Sequence, residues 1–288
     1  MTGPLAAPPD HHIDALLRAA IAEDLGTAGD ITTNAVVPAG TLCEAAIVAR
    51  ENGVVAGLGM AMRAFTLVDD EIDGRQVVSD GDAVRAGARL ADIAGAARSI
   101  LAAERTSLNL LGHLSGIATA TRRAVESIAH TRATVVDTRK TTLGLRALEK
   151  YAVRAGGGAN HRFGLFDAVL IKDNHLAAGG GVEAAVKAAR AGVGHAVKVE
   201  VEIDDPADID AAIDAGADTV LLDNMTMEQL REAVAFNDGR CRLEASGGIT
   251  LATLVEVAET GVDIISLGWV THSAPRWDVA LDFDSQPL

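Results

Sequence analysis

The sequence predicts an α/β protein in two parts, an N-terminal α/β sandwich followed by an incomplete, open α/β barrel. Three observations carry that expectation. A chain of 288 residues makes one large domain or two of ordinary size, with ample length to bury a core. Between residues 41 and 94, short apolar runs are broken by Glu51-Asn52-Gly53, Asp73-Gly74, Asp80-Gly81-Asp82 and Ala86-Gly87, the punctuation of β-hairpins. From residue 134 onward the pattern becomes strand then helix, repeated, with strands expected at 134–136, 168–171, 196–203, 219–222, 242–245 and 263–266. Six such units in about 150 residues are too few for a closed eight-strand barrel, which takes about 250.

Taken in order, residues 1–10 are rich in Pro, Ala and Gly and are expected to be disordered. His11-His12 reads as part of a solvated terminus rather than a metal site. Residues 13–25 have an apolar stripe of Ile13, Leu16, Leu17, Ile21 and Leu25 closed by Gly26, which predicts an amphipathic helix. Asp80-Gly81-Asp82 with Val84 and Gly87 has the look of a biotinyl or lipoyl carrier turn. No lysine precedes Lys140, so the attachment amine is missing, and the module reads instead as a sandwich that shapes and covers a site elsewhere. A helix is expected at 97–111, with Arg105 on the stripe of Leu101 and Leu108. An arginine there needs an anion, either Glu104 or another acid, or a ligand. His113 reads as a packed or capping histidine. In the repeat region helices close on Gly192, Gly216 and Gly261, and start at Asp204-Asp205-Pro206 and Thr226. The expected divisions are 1–112 for the sandwich, 113–270 for the barrel, and 271–288 as a tail packing back on the first domain.

Forty acidic residues against 25 Lys and Arg give a net charge of −15. Residues 137–175 depart from this, with seven bases and four acids, a net of 7 − 4 = +3, which leaves −18 for the rest. A cationic island in an acidic protein attracts a small, multiply charged anion, whereas the surrounding field excludes nucleic acid. Cys43 and Cys241 are too few for a disulfide framework and too far apart for a zinc pair. No apolar run has transmembrane length, and the start lacks a basic-then-apolar leader, so a cytoplasmic protein is expected.

Polar residues line the carboxyl end of every expected strand, which points to a ring around one pocket. They are Arg139 and Lys140, then Lys172, Glu200 and Glu202, Asp223, Ser246-Gly247-Gly248, and Gly268. Asn160-His161-Arg162 comes off Gly156-Gly157-Gly158, which permits close backbone approach to an anion. Glu200 and Glu202 share one strand face, and with Asp223 they would repel unless cations sit among them. Lys140 and Lys172 supply part of that charge, and a hard cation such as Mg²⁺ carried by a pyrophosphate would supply more. Glu200 reads equally well as a structural partner of Lys198 or Arg242. The turns Ser246-Gly247-Gly248 and Ser266-Leu267-Gly268 offer backbone N–H groups where barrels hold phosphate.

The words TRKT-x-x-GLR from Thr138, GGG-x-NHR-x-GL-x-D from Gly156 and LIKDNH from Leu170, in this order, resemble the quinolinate phosphoribosyltransferase family. The likeness extends back through Ala103-Glu104-Arg105-Thr106-Ser107-Leu108-Asn109 and Ser115-Gly116-Ile117-Ala118-Thr119. It extends forward through Glu200-Val201-Glu202, Leu222-Asp223-Asn224 and Ser246-Gly247-Gly248. It implies a barrel of about seven strands and a transferase of NAD biosynthesis acting on quinolinate and phosphoribosyl pyrophosphate. Mg²⁺ would be carried by the pyrophosphate, with no direct protein ligand. Arg105, Thr138, Arg139, His161, Arg162, Lys172 and Glu200 would meet substrate, and Lys140 would lie between the substrates. Glu202 and Asp223 would serve the ribosyl half, and Ser246, Gly247, Gly248, Leu267 and Gly268 the 5′-phosphate. A two-fold dimer would lend Arg105 to the neighbouring site. Leu143 departs from the family's frequent proline. The competing readings are a nicotinate-type phosphoribosyltransferase, which would see one carboxylate, and a non-catalytic metabolite-binding relative, which loss of Lys140, Glu202 or Asp223 would have signalled.

Overall fold

The computed structural model describes residues 5–283, which divide into two compact units. One comprises residues 5–122, 147–157 and 273–283, the other 123–146 and 158–272.

The first unit is built on an antiparallel sheet in the order β12-β1-β5-β3, with β1 Leu42–Ala49, β3 Asp73–Gln76, β5 Arg89–Ala96 and β12 Val279–Phe283. A small ladder pairs β2 (Gly53–Val54) with β4 (Ala83–Val84). Helices α1 (Asp10–Leu25), α2 (Ile31–Val36) and α3 (Leu58–Val68) belong to this unit, as do most of α4 (Ala97–Ser127) and α5 (Arg146–Ala155). Ile47, Leu58, Phe65, Leu90, Ile93, Ile100 and Leu111 form its core, each at most 2% exposed. Asp80 accepts the N–H groups of Gly57 and Leu58 at 2.9 and 3.0 Å and the Tyr151 hydroxyl at 2.5 Å. The carrier-like turn is thus a cap for the first turn of α3.

Helix α4 is 31 residues long, whereas the sequence led us to expect an end at 111. Gly112 and Gly116 lie within the helix, and their role is space. A Cβ at Gly112 would come within 2.7 Å of the Trp277 carbonyl oxygen, and one at Gly116 within 2.1 Å of that of Pro275. The division expected at 112 falls inside this helix. Helix α1 begins at Asp10, and residues 5–9 carry no helix or strand; residues 1–4 of the segment expected to be disordered lie outside the described residues. So do residues 284–288 of the expected tail, while β12 pairs antiparallel with β1 from Ala45↔Phe283 to Ala49↔Val279.

The second unit carries a sheet in the order β6-β11-β10-β9-β8-β7, every neighbour parallel. Its strands are β6 Thr134–Val136, β7 Val169–Ile171, β8 Val199–Ile203, β9 Thr219–Asp223, β10 Arg242–Ser246 and β11 Ile264–Ser266. Helices α6 (Asp173–Gly179), α7 (Val182–Gly192), α8 (Ile209–Asp214), α9 (Met227–Asn237), α10 (Leu254–Glu259) and α11 (Trp269–His272) connect or follow them. Val199, Val201, Val220 and Leu222 are fully buried, as a parallel sheet with covered faces requires. Six strands are described rather than seven; the seventh position is a single parallel bridge, Val136↔Ala159. Strand β8 starts three residues later than expected, because Val197 N–H closes a turn on Gly194 O at 3.0 Å. Helix α5 likewise starts at Arg146 rather than 143, since Gly144 sits at φ +78°. Among the described residues no helix is long and apolar enough to cross a membrane.

Candidate active site

A cavity of about 800 Å³ opens at the carboxyl ends of the six parallel strands. Thr138, Arg139 and Lys140 reach it from beyond β6, Lys172 from the end of β7, Glu202 from β8 and Asp223 from the end of β9. Ser246, Gly247 and Gly248 end β10, Gly268 follows β11, and His161 and Arg162 come from the 158–168 loop. Side chains of period two along the strands, and loops beginning where the ladder stops, are what converge on one rim.

The loops are held by buried or shared groups. Asp137, fully buried, accepts from Asn160 Nδ2 at 2.6 Å and from His161 N–H at 2.9 Å. Arg146 donates to Thr141 Oγ1 at 3.0 Å and to the Phe163 carbonyl at 3.2 Å, tying the loop after β6 to the loop before β7. Asp167 accepts the N–H groups of Phe163 and Gly164 at 2.6 and 2.8 Å. Lys140 is set by its N–H to Thr138 Oγ1 at 3.0 Å and by Thr271 Oγ1 to its carbonyl at 2.8 Å.

The cations are partly compensated. Arg139 Nε is buried with no hydrogen-bond partner. The Arg162 pKa is lowered, first by burial and then by the positive charge of Arg139, with Glu200 and Asp167 opposing the shift. Lys172 pairs with Glu202, and its backbone N–H donates to His175 Nδ1 at 2.9 Å. Asp223 accepts from Asn224 Nδ2 at 2.6 Å. Asn224 holds a left-handed φ of +54°, a conformation that costs energy in a non-glycine residue and clusters at functional sites.

The glycine turns fit a close-approaching ligand. At Gly247, φ +93°, a Cβ would sit 2.2 Å from Asn224 Oδ1. At Gly268 it would press on His272 and Lys140 at 3.2 Å.

Three expectations from the sequence are altered. Leu267 is 1% exposed and its N–H donates to Val136 O at 2.9 Å, so that donor is spent in the sheet and unavailable to a phosphate. Glu200 is buried and pairs with His161, its Oε2 at 3.0 Å from Nε2, rather than with Lys198 or Arg242. Lys198 binds Asp218 instead, at 2.9 Å. His161 lines the cavity, yet Nε2 faces Glu200 and Nδ1 accepts the Arg162 N–H at 2.7 Å. Both ring nitrogens thus have protein partners. Arg105 is exposed in the first unit, 3.6 Å from Glu104, and is not among the residues lining the cavity.

Glu244, Asn224, Thr250, Trp269 and His272 also line the cavity, and the sequence reading missed them as site residues. Strand periodicity would have found Glu244, two residues before Ser246 on the same strand face. For His272, one turn beyond Gly268, no comparable signal exists.

The profile of the quinolinate phosphoribosyl transferase N-terminal domain matches residues 30–115, and that of its C-terminal domain matches residues 117–282. The chain belongs to the quinolinate phosphoribosyl transferase family. Within that family, a Bacillus subtilis protein named probable nicotinate-nucleotide pyrophosphorylase (carboxylating) is 45% identical over 260 residues, covering 90% of this chain and 89% of its own length. A Mycobacterium leprae nicotinate-nucleotide pyrophosphorylase (carboxylating) is 46% identical over 275 residues, covering 92% of this chain and 95% of its own. The solved nicotinate-nucleotide pyrophosphorylase of Francisella tularensis superposes with a TM-score of 0.93 at 39% identity, over 99% of this chain and 100% of that one. Human nicotinic acid phosphoribosyltransferase shares the fold alone, with a TM-score of 0.61 at 12% identity.

Proposed function

We propose that this family member transfers the phosphoribosyl group of phosphoribosyl pyrophosphate to quinolinate and releases CO₂, giving nicotinate mononucleotide and pyrophosphate for NAD biosynthesis. The observation that carries the reading is the pair Arg139 and Arg162, adjacent guanidiniums with a buried unpartnered Nε on one and a lowered pKa on the other. Such cations are costly unless a ligand pairs them. A pyridine dicarboxylate would do so, with Lys172 completing the set.

In the transfer, the bond from ribosyl C1 to the pyrophosphate oxygen breaks and its electron pair leaves with the pyrophosphate. The quinolinate nitrogen then forms the new bond to C1. Glu202 and Asp223 stabilise the oxocarbenium-like charge developing on the ribose, and Lys140 sits between the two substrates. The bond to the adjacent carboxylate breaks next; CO₂ departs, its electron pair stays on the ring beside the cationic nitrogen, and a proton replaces it. The carboxylate oxygens of Glu202 and Asp223 suit a hard cation met through ribose hydroxyls or water, so Mg²⁺ would enter on the pyrophosphate. There it would neutralise the leaving group's charge. The N–H groups around Gly247, Gly248 and Gly268 would take the 5′-phosphate.

Support for a homodimer comes from Arg105, exposed and not among the residues lining the cavity, and from Leu143, Leu165 and Phe166, which are 96%, 74% and 81% exposed. A neighbouring chain would cover such apolar groups and supply Arg105. The reading of a cytoplasmic enzyme rests on the acidic composition and two free cysteines.

Purified protein given quinolinate and phosphoribosyl pyrophosphate should yield nicotinate mononucleotide and CO₂ by mass spectrometry, and should ignore nicotinate. Comparable turnover of nicotinate overturns the reading, because a site with half-buried guanidiniums and an unpartnered Arg139 Nε rejects an analogue lacking a carboxylate. For the dimer, Arg105→Ala and Lys172→Ala proteins, each inactive, are mixed after dissociation. Random re-pairing makes half the dimers mixed, so about a quarter of all sites should regain wild-type composition. No recovery would place Arg105 in its own chain's site.

A further inference from the structure

We propose that Glu244 is a positioning residue: with Glu200 it forms a buried pair that holds a single proton and fixes His161 as the neutral Nε2–H tautomer under Arg162. The proposal deepens the dicarboxylate reading above and rests on it.

The tautomer follows from the hydrogen bonds. The Arg162 N–H donates to His161 Nδ1 at 2.7 Å, so Nδ1 carries a lone pair and the ring proton is on Nε2. An imidazolium would set its Nδ1–H against that backbone N–H. Nε2 lies 3.0 Å from Glu200 Oε2 and 3.6 Å from Glu244 Oε1. A metal ion bound by the same three groups, whose ligand atoms lie within 4.8 Å of one another, would need the lone pair of Nε2. The loop geometry puts that lone pair on the other nitrogen.

The shared proton follows from burial. Glu244 is 2% exposed and Glu200 8%, and Oε1 of each is buried with no hydrogen-bond partner. Two carboxylates so placed cannot both ionise without a large cost. Around Glu244 stand Glu200 from β8, His161 and Ser266, with Arg162 beside Glu200 and Arg139 beside Arg162. Burial first, and Glu200 second, push the Glu244 carboxyl up to about 8, while His161 and Ser266 pull it down.

The consequence is electrostatic. With one negative charge rather than two beneath them, Arg139 and Arg162 keep their attraction for a substrate dianion. Loss of the shared proton adds a second negative charge to the floor of the cavity, and quinolinate should bind less well at alkaline pH.

The test measures the quinolinate KM from pH 7 to pH 9 with saturating phosphoribosyl pyrophosphate. If only the singly protonated pair accepts the dianion, the wild-type KM rises about tenfold over that range, with kcat changing less. Glu244→Gln, permanently neutral and of the same shape, should give a KM independent of pH. Glu244→Ala should raise KM already at pH 7, a defect the Gln variant rescues. Independently of activity, ¹⁵N-histidine spectra of the full-length protein should show His161 neutral with its proton on Nε2 at pH 7. A pH-independent wild-type KM, Gln and Ala variants that behave alike, an imidazolium His161 at pH 7, or stoichiometric Zn²⁺ removed by either substitution would each overturn the proposal. If wild-type protein turns over no quinolinate at any pH, the substrate reading fails instead, and the spectra still decide the tautomer.

Discussion

The antiparallel sheet of the first unit and the parallel sheet of the second treat charge in opposite ways. In the first, Arg63 pairs with Asp14, Arg50 with Asp282, and Arg75 and Arg89 both with Asp92, and Asp80 spends its oxygens on α3 and Tyr151. In the second, at the strand ends, Arg139 Nε, Glu200 Oε1 and Glu244 Oε1 are buried without partners, and burial and Arg139 lower the Arg162 pKa. The buried atoms left without partners in the first region, Ser107 Oγ, Thr121 Oγ1 and Trp277 Nε1, are neutral; those at the strand ends of the second belong to ionisable groups, and Arg139 is left for a ligand. That contrast, more than the presence of charged residues, separates scaffold from site.

The contrast can be broken at its strongest point by Arg162→Ala. Calorimetry should show quinolinate binding weakened by about 2–5 kcal/mol, as for truncating one partner of a buried charge pair. Little change in affinity would mean the guanidinium has no ligand to meet. A pH titration of stability sharpens the same point. Folded Glu244 keeps its proton up to about 8 against an ordinary 4.5. Between those values the folded chain binds more protons than the unfolded one, so stability should fall as pH rises through the window and level off above it. Denaturant melts of Glu244→Gln should lack that part of the slope. In the first unit Asp80→Ala should cost about 2–3 kcal/mol, from a lost helix cap and an unpaired tyrosine hydroxyl, read as a lower Tm with quinolinate affinity unchanged. Arg75→Ala, breaking a pair at the sheet surface, should stay within about 0.5 kcal/mol of wild type.

Much of this was legible in the sequence, for reasons that can be named. The six parallel strands were found within three residues at each end because they are short runs carrying buried apolar residues and closed by polar ones, and twelve of the expected site residues line one cavity because those residues begin where the ladder stops. What escaped depended on distant contacts. The continuation of α4 past 111 escaped, since nothing local announces that the 275–277 backbone lies against Gly112 and Gly116. Helix α3, 11 residues long, was hidden among hairpin signals because Leu58 to Val68 is apolar on nearly every face. The engagement of His161 with Glu200 joins a loop to a strand far along the chain, and no spacing rule foretells it.

Strand β12 has a consequence for synthesis on the ribosome. Its pairing partner β1 is made early, yet residues 279–283 emerge only after the whole parallel sheet has been translated. Until then β1 presents an unpaired edge carrying Ala45, Ile47 and Ala49, a template for pairing with other nascent chains. The first unit is therefore the first to be translated and among the last to be finished, and its exposure to misassembly lasts as long as translation of everything in between.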